Sequence, residues 1–551
     1  LLSLCPASRF NLFSPSVSSA SFAKDLELSE LMVNLVEMKQ GEVPVSREEI
    51  NSILDPLLED NMEGLSLGSS SLLLYEKWKS NLDSFENAIV YGDYDVDGIC
   101  STVLAMEVLL ALGKSVRFFI PHRHNDGYGL HPDIVSRLVK GKCDTLVVLD
   151  TGTGSGELIG KLEEQGINTF VFDHHLTQDG SESNWIVNPQ SDGNATARDL
   201  CATAVFWMWA CKNRIMPQKW LMERLDLVAL ATLADCMELG PLNRSLVIEG
   251  LKYIRKETRP GLAELIKALD LSAEHITDND LVMKVIPSLN APGRLETADP
   301  GVLLLVSREG YRSYVQNIID INHRRRESSA AIADEILGSS ETQRRHVFFS
   351  RDWHVGVLSG VASQICNIRN KPVILAAPAK KTIRGTVRVP EGANAMELLS
   401  EVSHFLEKWG GHSYAAGFSV SPRNWKFFME KVEGLISKLE IEEREITALE
   451  YDPARLDLDT FYEISRLGPF GKGNPKPRFF KRRDGSESLV PLGRTGEHYK
   501  VSHSSGEFLA FNSENLWDQY EDILGWVYYP NLNYWKGSLR VQFILDSILV
   551  P

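Results

Sequence analysis

The stretch VYGDYDVDGIC, residues 90–100, sets Asp93, Asp95 and Asp97 on one short turn between an apolar run and a helix-forming segment. Carboxylates this close repel one another, so something positive is expected among them. More acids and imidazoles follow. Asp150 ends TLVVLD; Asp173, His174 and His175 end TFVFDHH; Asp235 interrupts LVALATLADCMEL. Taken alone, Asp235 reads first as a helix cap, the ordinary job of an aspartate. Carboxylates and imidazoles without cysteine suit Mn2+ or Mg2+, with zinc and iron as further options. The set is large enough for two ions sharing a bridging acid. Such a pair suits phosphoryl chemistry, because it acidifies a bound water and stabilises charge building on phosphate.

The elements that must position these residues alternate. AIVY, VRFFI, TLVVL and NTFVF read as strands; ICSTVLAMEVLLAL, DIVSRLVK and GELIGKLEEQG read as helices between them. That alternation predicts an α/β fold with a parallel sheet, and ligand sites in such sheets lie beyond the strands' carboxyl ends. The acids and histidines fall at those ends. From about residue 260 to 337 the chain reads as helical, with YRSYVQNIIDINHRRRESSAAIADEIL as one long helix joining two domains. A second α/β region starts at HVFFS and runs to about residue 420. EGLISKLEIEEREITALE reads as a charged linker helix, and the short strands after it as a small β-barrel.

Composition sets the outer limits. A chain of 551 residues accommodates two to four domains, and 43% hydrophobic residues is ordinary for a globular protein. No apolar run reaches the roughly 18 residues of a membrane span. The net charge of −16 does not advertise nucleic-acid binding, although an acidic protein can carry a local basic groove. Seven scattered cysteines without a CxxC pair argue for a reducing compartment and against a zinc or disulfide framework. The first 24 residues are serine-rich and acid-free. They read as a transit-peptide remnant, disordered and outside the fold, which places the protein in a chloroplast or mitochondrion, or in the cytoplasm if the segment carries no address.

DYDVDG, LDTG, DHH and the aspartate of LADCMEL together resemble the four motifs of the DHH phosphoesterase superfamily. IPHRHNDGYGLH, SLNAPGRLETADPGVLLL, RDWHVGVLSGVASQI, RGTVRVP, WGGHSYAAGFSV and LGPFGKGNPKPRF are similar to the RecJ group of single-strand-specific exonucleases. The likeness covers about residue 85 to 551. It implies a DHH domain over 25–260, a helical connector over 261–340, a DHH-associated α/β substrate-binding domain over 341–425, and a linker helix with an oligonucleotide-binding (OB) barrel over 426–551.

Roles follow from the resemblance residue by residue. Asp93, Asp95, Asp97, Asp150, His174 and Asp235 match metal ligands for two Mn2+ or Mg2+ ions, with Asp150 as the bridge. His175 matches the histidine that touches the scissile phosphate or tunes the metal water. His412, with Gly410 and Gly411, matches a phosphate-holding motif; Arg384 and Arg388 match a phosphate grip; Arg294 and His354 are further candidates, whose alternatives are an ion pair and a core histidine. Val389 stands where a serine is expected, and a glycine expected near Thr203 is missing. In PFGKGNPKPRFFKRR, Lys472, Lys476, Arg478, Lys481, Arg482 and Arg483 with Phe470, Phe479 and Phe480 read either as a single-strand grip or as a charged loop with its rings in the core. The implied activity is hydrolysis of single-stranded DNA, 5′ to 3′, in repair or recombination, by a monomer that meets single-stranded nucleic acid, DNA rather than RNA, and a single-strand-binding protein or helicase. Two alternatives are a phosphoesterase for short oligonucleotides or small phosphate esters, and an inactive single-strand-binding protein.

Overall fold

The computed structural model describes every residue except 1–4, 7–8, 17–22, 25–27, 43–45, 141–142, 177–184, 339–343, 440–444, 493–497, 505, 512, 514–519, 536 and 551. The chain forms two compact units. The first is Asn51–His323 with Arg466–Pro475; the second is Leu1–Ile50 with Arg324–Ser465 and Lys476–Pro551. In chain order the strands begin in the second unit, with β1 (Cys5–Pro6) and β2 (Arg9–Phe13). The first unit supplies β3 (Asn87–Tyr91), β4 (Ser115–Phe119), β5 (Thr145–Leu149), β6 (Asn168–Phe172) and β7 (Ile186–Val187).

These five strands form a sheet in the order β4-β3-β5-β6-β7, every pair parallel. Both faces are covered, which is why β5 reads TLVVL without a polar interruption. Val90, Val147, Leu149, Phe170 and Phe172 face the helices Val96–Ala111, Ala202–Lys212 and Leu225–Ala234. Ile89, Tyr91, Leu146, Val148 and Val171 face the helices Pro132–Val139 and Gly156–Glu164. Each such side chain taken from water stabilises the unit by about 1.5–3 kcal/mol before entropy is counted. The helix Val96–Ala111 is apolar nearly all round because it is buried nearly all round. Gly98 is obligatory there: a Cβ would lie 2.4 Å from the Asp93 carbonyl oxygen.

The second unit holds the remaining strands: β8 (Val347–Phe349), β9 (Val373–Ala379), β10 (Thr382–Arg388), β11 (Leu406–His412), β12 (Ala415–Val420), β13 (Glu445–Glu450), β14 (Phe479–Arg482), β15 (Ser488–Leu492), β16 (His498–His503), β17 (Gly506–Ala510), β18 (Gly525–Trp535) and β19 (Ser538–Leu549). One mixed sheet runs β11-β12-β10-β9-β8, and a larger one runs β15-β16-β17-β19-β18-β14-β13-β2, with β1 on β19.

Three expectations change. The N-terminal segment is not outside the fold, because Arg9–Phe13 pairs parallel with β13 and Phe10 meets Phe480 at 5.0 Å between ring centroids. Phe10 and Leu12 alternate with exposed Asn11, a strand signature that the serine-rich surroundings hid. No boundary falls at residue 260, since Leu262, Leu265, Leu281, Leu289 and Val302 share the first unit's core. The long helix does form, as Arg312–Leu337, and the division between the units falls within it. The helix Trp425–Ile436 is not a linker: Phe428, Val432 and Ile436 complete the core beneath β8–β12, and residues 445–450 are a strand.

Candidate metal centre

Three strand ends build the site in the first unit. The chain leaves β3 and turns through Asp93, Asp95 and Asp97 into the helix Val96–Ala111, with Asp95 as its N-cap accepting from Gly98 N at 3.1 Å. Beyond β5, Asp150 takes the left-handed backbone region, φ 61°, a costly conformation for a residue with a Cβ. Beyond β6 come Asp173, His174 and His175. Asp235 ends the helix Leu225–Ala234 at its carboxyl terminus, where a negative charge opposes the helix dipole. It therefore does not cap a helix start, as its type alone suggests; its place is explained by what it faces.

His174 Nε2 lies 3.3 Å from Asp235 Oδ2, 3.4 Å from Asp150 Oδ1 and 3.8 Å from Asp97 Oδ2. It is buried and hydrogen-bonded to none of them. Both Asp150 oxygens and Asp93 Oδ1 are likewise buried without a protein donor. Orphaned polar atoms of this kind are costly unless another partner serves them. Burial first, then the charges of Asp97, Asp95, Asp93 and Asp235, hold the Asp150 carboxyl well above the usual carboxylate range. Burial and mutual repulsion raise Asp93 and Asp235 in the same way. Ligand atoms gather as Asp93–Asp95–Asp150, as Asp97–His174–Asp235 and as Asp150–His174–His175, each set within 4.8 Å. Hard oxygens with imidazole nitrogen fit divalent cations such as Mn2+ and Mg2+. Asp150 and His174 each belong to two of the three sets.

Asp173, by contrast, is fully served and acts as a support. The Asp173 carboxylate accepts from Thr153 N (2.9 Å), Thr153 Oγ1 (2.6 Å), His174 N (2.8 Å), His175 N (3.2 Å) and His175 Nδ1 (2.9 Å). Burial opposes its charge, but the bonds from His175 and Thr153 win and hold the carboxyl well below the usual range. Burial lowers His175, and the bond to Asp173 with the charges of Asp173, Asp235 and Asp95 outweighs it, raising the imidazole to about 9. Asp97 accepts from Ala202 N (2.7 Å), Thr203 N (2.9 Å) and Thr203 Oγ1 (2.6 Å), at the start of the helix Ala202–Lys212. Thr203, which stands near the place of an absent glycine, thus fixes a candidate ligand.

Sequence reading passed over Thr203, Asp173 as an organiser, Tyr128 and Arg123. Tyr128 lies 5.2 Å from the His175 ring, and Arg123 lies 4.8 Å from the Tyr94 ring. Both stand in IPHRHNDGYGLH, a stretch noticed for its resemblance and not for its chemistry.

The expected phosphate contacts divide between the units. Arg294 lies in the first, where its carbonyl meets His124 Nε2 at 2.8 Å. In the second, Arg388 and His412 flank Ala415 from opposite sides on β10 and β11, and so share one sheet face with Arg384. Arg388 donates to Ser363 Oγ at 3.0 Å and Thr386 Oγ1 at 2.7 Å. Gly411 has φ 151°, and a Cβ there would lie 2.4 Å from the Ala415 carbonyl oxygen; around Gly410 there is open space. His354 is not a core histidine: it is exposed and N-caps the helix Val355–Arg369, accepting from Gly356 N at 3.1 Å. Val389 is buried in the core of this sheet, which explains an apolar residue there.

The basic stretch is mostly engaged. Lys476 lies 4.9 Å from the Tyr529 ring, Arg478 pairs with Asp546 at 2.6 Å, and Lys481 pairs with Asp484 at 3.9 Å. Arg482 reaches Glu450 at 3.9 Å, and Arg483 donates to the Tyr520 carbonyl at 2.6 Å. Phe479 and Phe480 are core residues, so the rings-for-bases reading fails for them. Lys472 is exposed and belongs to the first unit.

Residues 87–232 match the DHH family N-terminal domain, 343–438 the DHHA1 domain and 447–547 the RecJ OB domain. The chain is 30% identical over 504 residues to the single-stranded-DNA-specific exonuclease RecJ of Escherichia coli, covering 84% of this chain and 87% of that one. The crystal structure of RecJ in complex with Mn2+ from Thermus thermophilus matches with a TM-score of 0.79 at 26% identity, over 98% of this chain and 79% of that one. A crystal structure of exonuclease RecJ bound to manganese matches with a TM-score of 0.57 at 28% identity, over 69% and 97%.

Proposed function

We propose that this chain, which belongs to the RecJ family of exonucleases, hydrolyses the phosphodiester bonds of single-stranded DNA from one end with two divalent cations, Mn2+ or Mg2+. The observation that carries this reading is the set of buried, unserved ligand atoms on Asp93, Asp150 and His174 at the strand ends of a parallel sheet. Asp93, Asp95, Asp97, Asp150, His174 and Asp235 would hold the ions, which supply an activated water and stabilise charge on the phosphate. The protein's own part is orientation. Asp173 holds His175 by Nδ1 and so fixes the orientation of the ring, whose other nitrogen would face a phosphate oxygen. Arg384, Arg388 and His412 offer a phosphate-binding face in the second unit.

The match of residues 447–547 to an OB domain favours a long strand over a small phosphate ester. We further read digestion as 5′ to 3′, in repair or recombination, by a monomer cooperating with a single-strand-binding protein or helicase. The acid-free N-terminal composition favours a chloroplast or mitochondrion. Because Cys5–Pro6 and Arg9–Phe13 are both built into the sheet, an address that is cleaved away ends before Cys5. Among the described residues no helix is long and apolar enough to cross a membrane.

The test is incubation with Mn2+ and strands of DNA and RNA labelled at either end, single and double. Mononucleotides released from the 5′ end of single-stranded DNA are expected. Equal digestion of duplex, or turnover of small esters alone, overturns the reading.

A further inference from the structure

The segment Arg466–Pro475, RLGPFGKGNP, lies between strands of the second unit in sequence yet belongs to the first unit. Its anchoring is specific. The buried Arg244 side chain donates to the Leu467 and Gly468 carbonyls at 3.0 Å each. Asp278 accepts from Phe470 N at 2.6 Å, and Arg466 pairs with Asp55. The Asn474 amide, almost wholly buried, bonds the Leu467 and Pro469 carbonyls at 2.8 and 2.7 Å. These bonds anchor the segment on both sides of its tip.

That tip rests on the residues just after Asp235. The Lys472 carbonyl accepts from Leu239 N at 2.8 Å. A Cβ on Gly471 would lie 2.9 Å from Leu239 Cδ1, and one on Gly473 would lie 2.6 Å from Glu238 Cγ. Gly473 also has φ 75°, so a glycine is required there both by backbone and by space. The two glycines flank Lys472 and let its backbone sit against 238–239. The other cations of the stretch have partners, whereas Lys472 is exposed and, among the described residues, has no carboxylate at ion-pair distance.

We propose that Lys472 is a substrate-contacting residue of the metal centre, binding a phosphate oxygen on the Asp235 side, and not a cation for the strand's distant length. The inference rests on the phosphodiesterase reading above. An ammonium is a compact point charge with three donors, suited to a phosphate oxygen whose orientation changes along the reaction. Held by a latched segment, it contributes orientation that a flexible surface lysine lacks. The same placement gives the segment's glycines and asparagine a purpose, since they hold the backbone of Lys472 against residues 238–239.

The full chain serves for the experiment, as wild type, Lys472→Gln and Lys472→Arg. Three quantities are measured with Mn2+: kcat/KM on a 5′-phosphorylated deoxydinucleotide, affinity for a deoxynucleoside monophosphate, and affinity for Mn2+ alone. Lys472→Gln is expected to lower dinucleotide kcat/KM by about a hundredfold and monophosphate affinity by about tenfold, in the range of a lost charged contact to phosphate. Lys472→Arg recovers part of both, and Mn2+ affinity is unchanged or tighter. Unchanged dinucleotide turnover and monophosphate affinity overturn the proposal, above all if binding to long strands weakens. Loss of Mn2+ affinity in Lys472→Gln overturns it too, because the segment then acts by holding Asp235. If the wild type cleaves no nucleic acid, the parent reading falls, and monophosphate affinity alone decides for or against Lys472.

Discussion

The acid centre around Asp150 and the basic stretch around Arg478 resemble each other in composition, each a cluster of one sign. Structurally they are opposites. Asp93, Asp150 and His174 carry buried atoms with no protein partner. Arg478, Arg483 and Lys481 have partners in the form of Asp546, backbone carbonyls and Asp484. A cluster whose charges are satisfied within the chain is part of the scaffold. One whose charges are left in conflict, at a cost in stability, is kept for something that binds. The variants below ask whether that contrast is real.

The largest effect belongs to Asp150→Asn. It removes the acid common to two ligand sets, so hydrolysis should fall by about a thousandfold or more. Its effect on stability has the opposite sign when metal is chelated. An acid held above its usual range weakens the fold as pH rises through and beyond the unfolded value of about 4, because the charged form is disfavoured only in the folded state. The amide relieves that, so with chelator at pH 7 the variant should melt higher than wild type. Added Mn2+ should raise the wild-type Tm more than the variant's. A wild type whose Tm ignores Mn2+ would break the comparison at its stronger end.

Next is Arg478→Met. If this arginine is scaffold, the variant takes from the largely buried Asp546 its pair with Arg478 and should lose about 2 kcal/mol in denaturant unfolding. Adding Asp546→Asn should return much of it, the mark of a coupled pair. The salt dependence of strand binding should stay as it was. A shallower slope, by about 0.7 for a lost single-strand phosphate contact, would make Arg478 a strand contact after all.

How far these two regions were legible in the sequence follows the same division. Asp93, Asp150 and His174 were readable because each stands at the end of an apolar strand, and strand order alone brings those ends to one rim. Thr203 was not readable, because its hydroxyl meets Asp97 across 106 residues and nothing local marks it. The segment 466–475 was misplaced for a related reason. Its neighbours in sequence are strands of the second unit, while its partners Arg244, Asp278 and Leu239 are some 190 to 230 residues earlier. The strand Arg9–Phe13 was missed because composition outweighed the alternation of Phe10, Asn11 and Leu12. Periodicity carries local structure and sheet faces; it does not carry which distant loop completes a site.

Thr203→Val tests whether that support is more than packing. The valine keeps the volume and both backbone donors to Asp97 but deletes the hydroxyl at 2.6 Å. A stability loss of about 1–2 kcal/mol is expected for a deleted donor to a buried carboxylate. If Asp97 is held ready for an ion, Mn2+ affinity measured by titration should fall severalfold as well. A loss of stability with unchanged affinity would class Thr203 with the scaffold.

The smallest effect sharpens the comparison from within the acid-bearing unit itself. Asp192 is an aspartate like Asp150, yet it is served. It accepts from Ser69 N at 2.7 Å, Ser69 Oγ at 3.0 Å and Asn194 N at 2.9 Å, at the start of the helix Ser69–Asn81. Some burial opposes its charge, but those donors hold the carboxyl below its usual range. Its contribution to stability is therefore complete above the unfolded value of about 4 and is lost as pH falls through the lower folded value. Asp192→Asn should flatten the acid limb of stability against pH by a small amount, because the group is mostly solvated and screened. Hydrolysis at neutral pH and the Mn2+-induced rise in Tm should match wild type. An Asp192→Asn protein that lost its response to Mn2+ would show that satisfied and unsatisfied acids do not separate scaffold from site in this unit.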